Sequence, residues 1–123
     1  MTDLQQIFDA IKPLLQQYQP PLVPKTDTER YFDLWSFKDL EIEGRKRKEV
    51  FFAGLIRQKS YVGIYFMPVY AEPEAKAFFP PEVLQLLKGK SCFHIKSLTP
   101  QLLGQLDSVL RTGFDLYRRR GWV

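Results

Sequence analysis

Residues 31–70, YFDLWSFKDLEIEGRKRKEVFFAGLIRQKSYVGIYFMPVY, decide the fold. Three segments within them, about Tyr31 to Ile42, Arg47 to Gln58 and Tyr61 to Tyr70, are rich in aromatic and β-branched residues and read as strands. The links between them are too short for crossovers, so the strands must form antiparallel hairpins. A two-residue turn at Gly44-Arg45 would set Glu43 opposite Lys46 and Glu41 opposite Lys48, pairing opposite charges. A turn at Lys59-Ser60 would set Ile56 opposite Gly63 and Gly54 opposite Tyr65.

Because neighbours along a strand point to opposite sides, these registers sort the side chains by face. One face collects Phe32, Leu34, Phe51, Ala53, Leu55, Val62, Ile64 and Phe66 and reads as core. The other collects Trp35, Phe37, Val50, Phe52, Ile56, Tyr61, Tyr65 and Met67, with Gly54 between Trp35 and Tyr65 and Gly63 nearby. That face is almost as apolar, so water alone does not suit it. A helix covers it, a ligand fills a groove on it, or a second subunit meets it.

Working outward, Leu4, Ile7, Phe8, Ile11, Leu14, Leu15 and Tyr18 follow the spacing of an amphipathic helix. Thr2 with Gln5 supplies a capping-box start, and Pro20-Pro21 stops the helix. Gln19 to Thr28 reads as a surface connection. On the far side, Pro80-Pro81-Glu82 opens a short helix through Leu87 that Gly89 ends. Ser91 to Lys96 alternates as a fourth strand, with Phe93 and Ile95 on one side and Cys92 and His94 on the other. Thr99-Pro100 then opens a long helix striped with Leu102, Leu103, Leu106, Val109, Leu110, Phe114 and Tyr117. Gly121 caps that helix, and Trp122 folds back onto the body. The expected architecture is a single α+β domain of residues 1–123, with an antiparallel sheet of about four strands and the order α-β-β-β-α-β-α.

Length and composition bound the function. A chain of 123 residues leaves room for one core. No apolar run is long enough to span a bilayer, and Met1 to Asp9 lacks the basic region of a signal peptide. The one cysteine, Cys92, permits no internal disulfide and suits a reducing, cytoplasmic setting. Net charge is −4 over residues 1–43 and +8 over residues 44–123, and the runs Arg45 to Lys48 and Arg118 to Arg120 supply most of the excess. The first run has a role in its hairpin, and the second favours the negative end of a helix dipole. A nucleic-acid partner is therefore not expected.

The segment Gly89-Lys90-Ser91-Cys92-Phe93-His94-Ile95-Lys96, with its polar link and long terminal helix, resembles the closing segment of the YdhG-like family of small bacterial proteins. The strands ending in Tyr65-Phe66-Met67-Pro68 after an N-terminal helix are similar to the rest of that family. Some relatives are described as frataxin-like iron chaperones, so the resemblance implies metal delivery as an alternative function. Iron prefers oxygen ligands, and the first helix offers only Asp3 and Asp9, with Lys12 beyond them. Asp39, Glu41 and Glu43 form the other acidic group, which the hairpin lysines would neutralise. His94, the single histidine, and Cys92 could together supply at most two metal ligands.

Phosphate loops, HExxH, CxxC and local Ser-His-Asp motifs are absent, so no catalytic residue, metal ligand or cofactor is assigned and a non-enzymatic binding protein is expected. Asp33 beside Trp35 is the first place to look for an enzyme. In one reading Trp35, Gly54, Tyr61 and Tyr65 form an aromatic groove for a small, partly apolar ligand or a metal-bearing partner, with Arg47 or Lys48 attracting an anionic group. In the other, the same surface is a homodimer interface or is sealed by a helix, and the protein, monomer or homodimer, acts through protein contacts.

Overall fold

The computed structural model describes residues 1–71 and 73–123. Helix α1 (Leu4–Gln16) is followed by strands β1 (Tyr31–Ser36), β2 (Leu40–Ile42), β3 (Arg45–Arg47), β4 (Val50–Arg57) and β5 (Val62–Phe66). Short helix α2 (Met67–Ala71), a 3-10 turn (Pro73–Phe78) and helix α3 (Pro81–Leu84) lead to β6 (Leu87–Lys88) and β7 (Cys92–Ile95). Helix α4 (Pro100–Arg119) is the last element. The α+β class holds, with seven short strands among the described residues in place of about four. Five form an antiparallel sheet ordered β1-β4-β5-β7-β6, and β2 and β3 form a separate ribbon.

Asp3, not Thr2, caps α1, its side chain accepting the N–H of Gln6 at 2.9 Å. Ile7, Phe8, Ile11 and Leu15 from that helix are fully buried. Thr99 caps α4 through Leu102 N–H at 3.1 Å, with Pro100 behind it, as the sequence requires. Gly113 lets α4 approach the sheet, because a methyl group there would overlap the Phe66 ring and lie 2.9 Å from Pro68 Cγ. Phe52 sits at the centre of the resulting core, ringed by Tyr18, Phe66, Phe114 and Tyr117 at centroid distances of 5.3–6.1 Å.

Three expectations about the hairpins need correction. The first turn is Glu43-Gly44, both residues at positive φ, so Glu41 pairs with Lys46 and Ile42 with Arg45. A two-residue turn of this kind needs positive φ at both centres, and glycine serves the second. Glu41 faces Lys46 in place of Lys48, and Glu43 moves into the turn and loses its expected partner. Second, the long hairpin breaks at residues 37–39 and 48–49, and β4 carries a bulge where β1 passes from Leu34 to Trp35. The unpaired residue is Phe52, which turns inward with Ala53 and sends Phe51 to the opposite face beside Trp35. Phe51 and Phe52 thus exchange their expected places, and Gly54 lies between Asp33 and Tyr65. Third, β5 stops at Phe66, and Leu87 belongs to a strand instead of extending α3. Pro68 lacks the N–H a strand would use, and the chain turns helical there. The second hairpin keeps its expected register, Gly54 against Tyr65 and Ile56 against Gly63.

The connection after α1 lies along the sheet edge, with Val23 bridging Trp35 and Asp27 bridging Phe32. It gives β1 backbone partners that an edge strand otherwise lacks.

Candidate functional site

Helices α1 and α4 pack on one face of the sheet, and on the other Tyr61, Tyr65 and His94 remain half-buried. On the open face the rings lie down over the glycines. A Cβ on Gly54 would meet the Phe51 ring at 3.2 Å, and one on Gly63 would meet Tyr61 at 3.3 Å and Tyr65 at 3.4 Å. Tyr61 stacks on His94 with centroids 3.8 Å apart and planes 13° from parallel. The absence of side chains at Gly54 and Gly63 is thus used by the neighbouring rings themselves. Burial, with Lys88 and Lys96 nearby, lowers the His94 pKa below 6.5. Burial pushes the Cys92 thiol up, against the Tyr65 hydroxyl that hydrogen-bonds its sulfur, and raises Tyr65 as well.

Asp33 is buried, and its Oδ1 accepts the N–H groups of Lys25 at 2.7 Å and Thr26 at 2.8 Å. It fastens the edge connection to β1, which is a structural task.

A recess of about 800 Å³ opens where the β2–β3 ribbon, the start of β4, α2 and the residues after α4 come together. Trp35, Phe51, Met67, Tyr70 and Trp122 supply its apolar lining, and Arg47, Lys48, Arg120, Glu41, Glu43 and Glu49 its charges. Local chemistry explains each wall. Gly121, at φ 74°, ends α4 in a left-handed residue, and Trp122 turns back to donate its N–H to Tyr117 O at 2.8 Å and pack edge-on against that ring. Ser36 Oγ donates to the Trp122 carbonyl, and Arg120 lies over the Trp122 ring at 4.9 Å. Tyr117 Oη donates to Phe51 O at 2.6 Å, tying α4 to the β4 bulge.

The charges of the recess divide unequally. Glu49 pairs with Lys25 at 2.6 Å, and Lys25 also sits 3.8 Å over the Trp35 ring, covering one of its faces. Glu41 faces Lys46 across the ribbon. Arg47 and Lys48 are exposed and have no carboxylate partner among the described residues. At the recess Arg47 and Lys48 therefore stand beside two carboxylates, Glu41 and Glu43, that likewise form no ion pair among the described residues.

Of the six residues singled out from sequence, Trp35, Arg47 and Lys48 meet at this recess. Gly54, Tyr61 and Tyr65 do not, since they lie further along the open face. Sequence reasoning missed Phe51, Met67, Tyr70 and Trp122 as its walls. The Gly121 stop pointed to the fold-back of Trp122, and only the bulge could have placed Phe51. Among the described residues no group of three His, Cys, Asp or Glu side chains is arranged to hold a metal ion, and no helix is long and apolar enough to cross a membrane. Asp3 caps α1, and Asp9 accepts from Gln5 Nε2 at 3.0 Å. Compared with protein-family models, with curated proteins and with solved structures, the chain finds no match in any of the three.

Proposed function

We propose that this protein is a non-enzymatic binding protein that holds a small, flat, partly apolar anion in the recess beside the β2–β3 ribbon. One observation carries the reading: aromatic and thioether side chains from four separate parts of the chain meet Arg47 and Lys48 around one opening of about 800 Å³. Small-molecule sites occupy roughly 300–1,000 Å³ and combine apolar walls with a few orienting polar groups. The rings would bury the flat body of the ligand, and Arg47 and Lys48 would meet its carboxylate, sulfonate or phosphate at the rim. The lone cysteine suits a reducing, cytoplasmic setting.

The non-enzymatic part rests on how the titratable groups are used. Asp33 is held by backbone, His94 is stacked on Tyr61, and the Cys92 thiol is pushed away from thiolate. The iron-chaperone alternative implied by the YdhG-like resemblance finds less support, because Asp3 and Asp9 are both engaged within or beside α1.

Both tryptophans border the recess, so their fluorescence reports on it directly. Titration with a panel of aryl carboxylates, aryl sulfonates and nucleotides should give saturable quenching by at least one of them. Replacing Arg47 and Lys48 together by Gln should weaken that ligand about tenfold, equivalent to about 1.4 kcal/mol. A flat response across the panel, or binding indifferent to both cations, would sink the proposal.

A further inference from the structure

We infer that the open sheet face around Tyr61, Tyr65 and His94 is a platform for single-stranded nucleic acid, a second site that does not depend on the recess. Three features of that face converge on this partner, beginning with shape. β5 and β7 pair so that Gly63 lies beside His94 and Tyr65 beside Cys92. Three rings therefore share one side of the sheet, Tyr61 and Tyr65 closing over Gly63 and His94 stacked on Tyr61. Strands are about 4.8 Å apart, so the β4-β5-β7 width suits two or three stacked bases. Stacking on such rings tolerates any base, because each presents a π face.

Charge is the second feature. Lys88 lies opposite Cys92 in the β6–β7 pairing, and Lys96 follows His94 by two residues, so both belong to the open face. Both are exposed, and both act electrostatically on His94. Neither has a carboxylate partner among the described residues. Among the described residues, Asp33 is the one carboxylate that strand alternation puts on this face, and it is buried with the backbone N–H groups of Lys25 and Thr26 bound to it. An aromatic centre with a rim of lysines is the surface chemistry that phosphate backbones and unpaired bases require.

The third feature separates this partner from a second copy of the chain. Two-fold pairing of this face would bring the Lys88 and Lys96 rims of both copies into one interface, where like charges oppose association. A polyanion turns the same lysines into attraction. The two basic runs conspicuous in the sequence play no part: Arg45 to Arg47 form a strand of the ribbon with Lys48 just beyond it, and Arg118 and Arg119 close the last turn of α4. The cations that matter are isolated in sequence and gathered only by the register.

Fluorescence anisotropy of labelled 12-mers of oligo(dT) and oligo(rU), titrated with the full chain at 50 and 200 mM salt, tests the inference. Tyr65→Leu should weaken binding about 5- to 150-fold, the range for losing one stacked base, and Tyr65→Trp should retain it. Lys88→Gln with Lys96→Gln should lower the slope of log K against log salt by about 1.4, the value for two phosphate contacts to a single strand. Arg45→Gln with Lys46→Gln should leave both quantities unchanged. Thermal melts confirm that each variant is folded. Failure of either 12-mer to bind at 50 mM salt overturns the inference. So does binding that survives Tyr65→Leu but is lost with the ribbon pair, or a dimer mass by light scattering that Tyr65→Leu abolishes.

Discussion

The two faces of the central sheet are nearly equal in apolar content along the sequence, yet they end differently. On one, α1 and α4 descend, Gly113 gives up its side chain so that α4 can reach Phe66, and Phe52 disappears into a ring of aromatics. On the other, the sheet gives up side chains at Gly54 and Gly63 so that its own rings can lie flat. In both places a glycine permits close approach. The difference is whose atoms arrive. An apolar face must be covered, but its covering can be the sheet's own tyrosines and phenylalanine, leaving a half-buried surface still able to receive a partner.

Neighbouring residues let this contrast be broken most sharply at the bulge. Phe52→Ala should cost about 3–5 kcal/mol in denaturant unfolding, as expected for a fully buried phenylalanine. Phe51→Ala, one residue away on the half-buried face, should cost about 1–2 kcal/mol, mostly contact with Trp35 and Gly54. Equal costs would mean that the bulge does not exist in solution. The next largest effect comes from two glycines in α4. Gly113→Ala forces a methyl group into Phe66 and Pro68 and should cost about 1–3 kcal/mol. Gly104→Ala has open space around it and should stabilise by up to about 1 kcal/mol through helix propensity, read from the same melts. At the edge, Asp33→Ala leaves the N–H groups of Lys25 and Thr26 without their acceptor and should cost about 1–3 kcal/mol. Amide exchange at those two residues should accelerate with it.

The smallest effect concerns the open face and pH. The folded state lowers the His94 pKa below 6.5, so between these two values the unfolded chain binds more protons than the folded one. Stability from this group is complete above pH 6.5 and falls as the solution is acidified through the folded value. His94→Phe keeps an aromatic ring for Tyr61 and cannot be protonated. It should therefore lose less stability between pH 7 and pH 5 than the parent, by urea unfolding, and identical losses would show that the stack does not sense its proton.

Much of the scaffold could be read from residues in a row. The Thr99-Pro100 cap, the Gly121 stop, the alternation of Cys92 to Ile95 and the Lys59-Ser60 register are local signals, each fixed by the backbone demands of a few neighbours. What escaped depended on one residue changing the phase of everything beyond it. The bulge at Phe52 exchanged two adjacent phenylalanines, and the Glu43-Gly44 turn re-paired Glu41 with Lys46 and took Glu43 out of the ladder, because strand periodicity carries any slip onward. The recess was half legible. Trp35, Arg47 and Lys48 stand in one hairpin and could be grouped by register, whereas Tyr70 and Trp122 arrive from distant parts of the chain. Lys88 and Lys96 read as scattered surface charges until β6 and β7 pair.

Cys92 sits on the floor of the open face, between Gly63 and Tyr65, and it is the one sulfhydryl of the chain. Its burial and raised pKa make it slow toward thiol reagents. The wild-type protein thereby carries its own footprinting tag. Anything that settles on the rings slows the labelling clock, anything that fills the recess alone leaves it running, and no engineered residue is needed to tell the two apart.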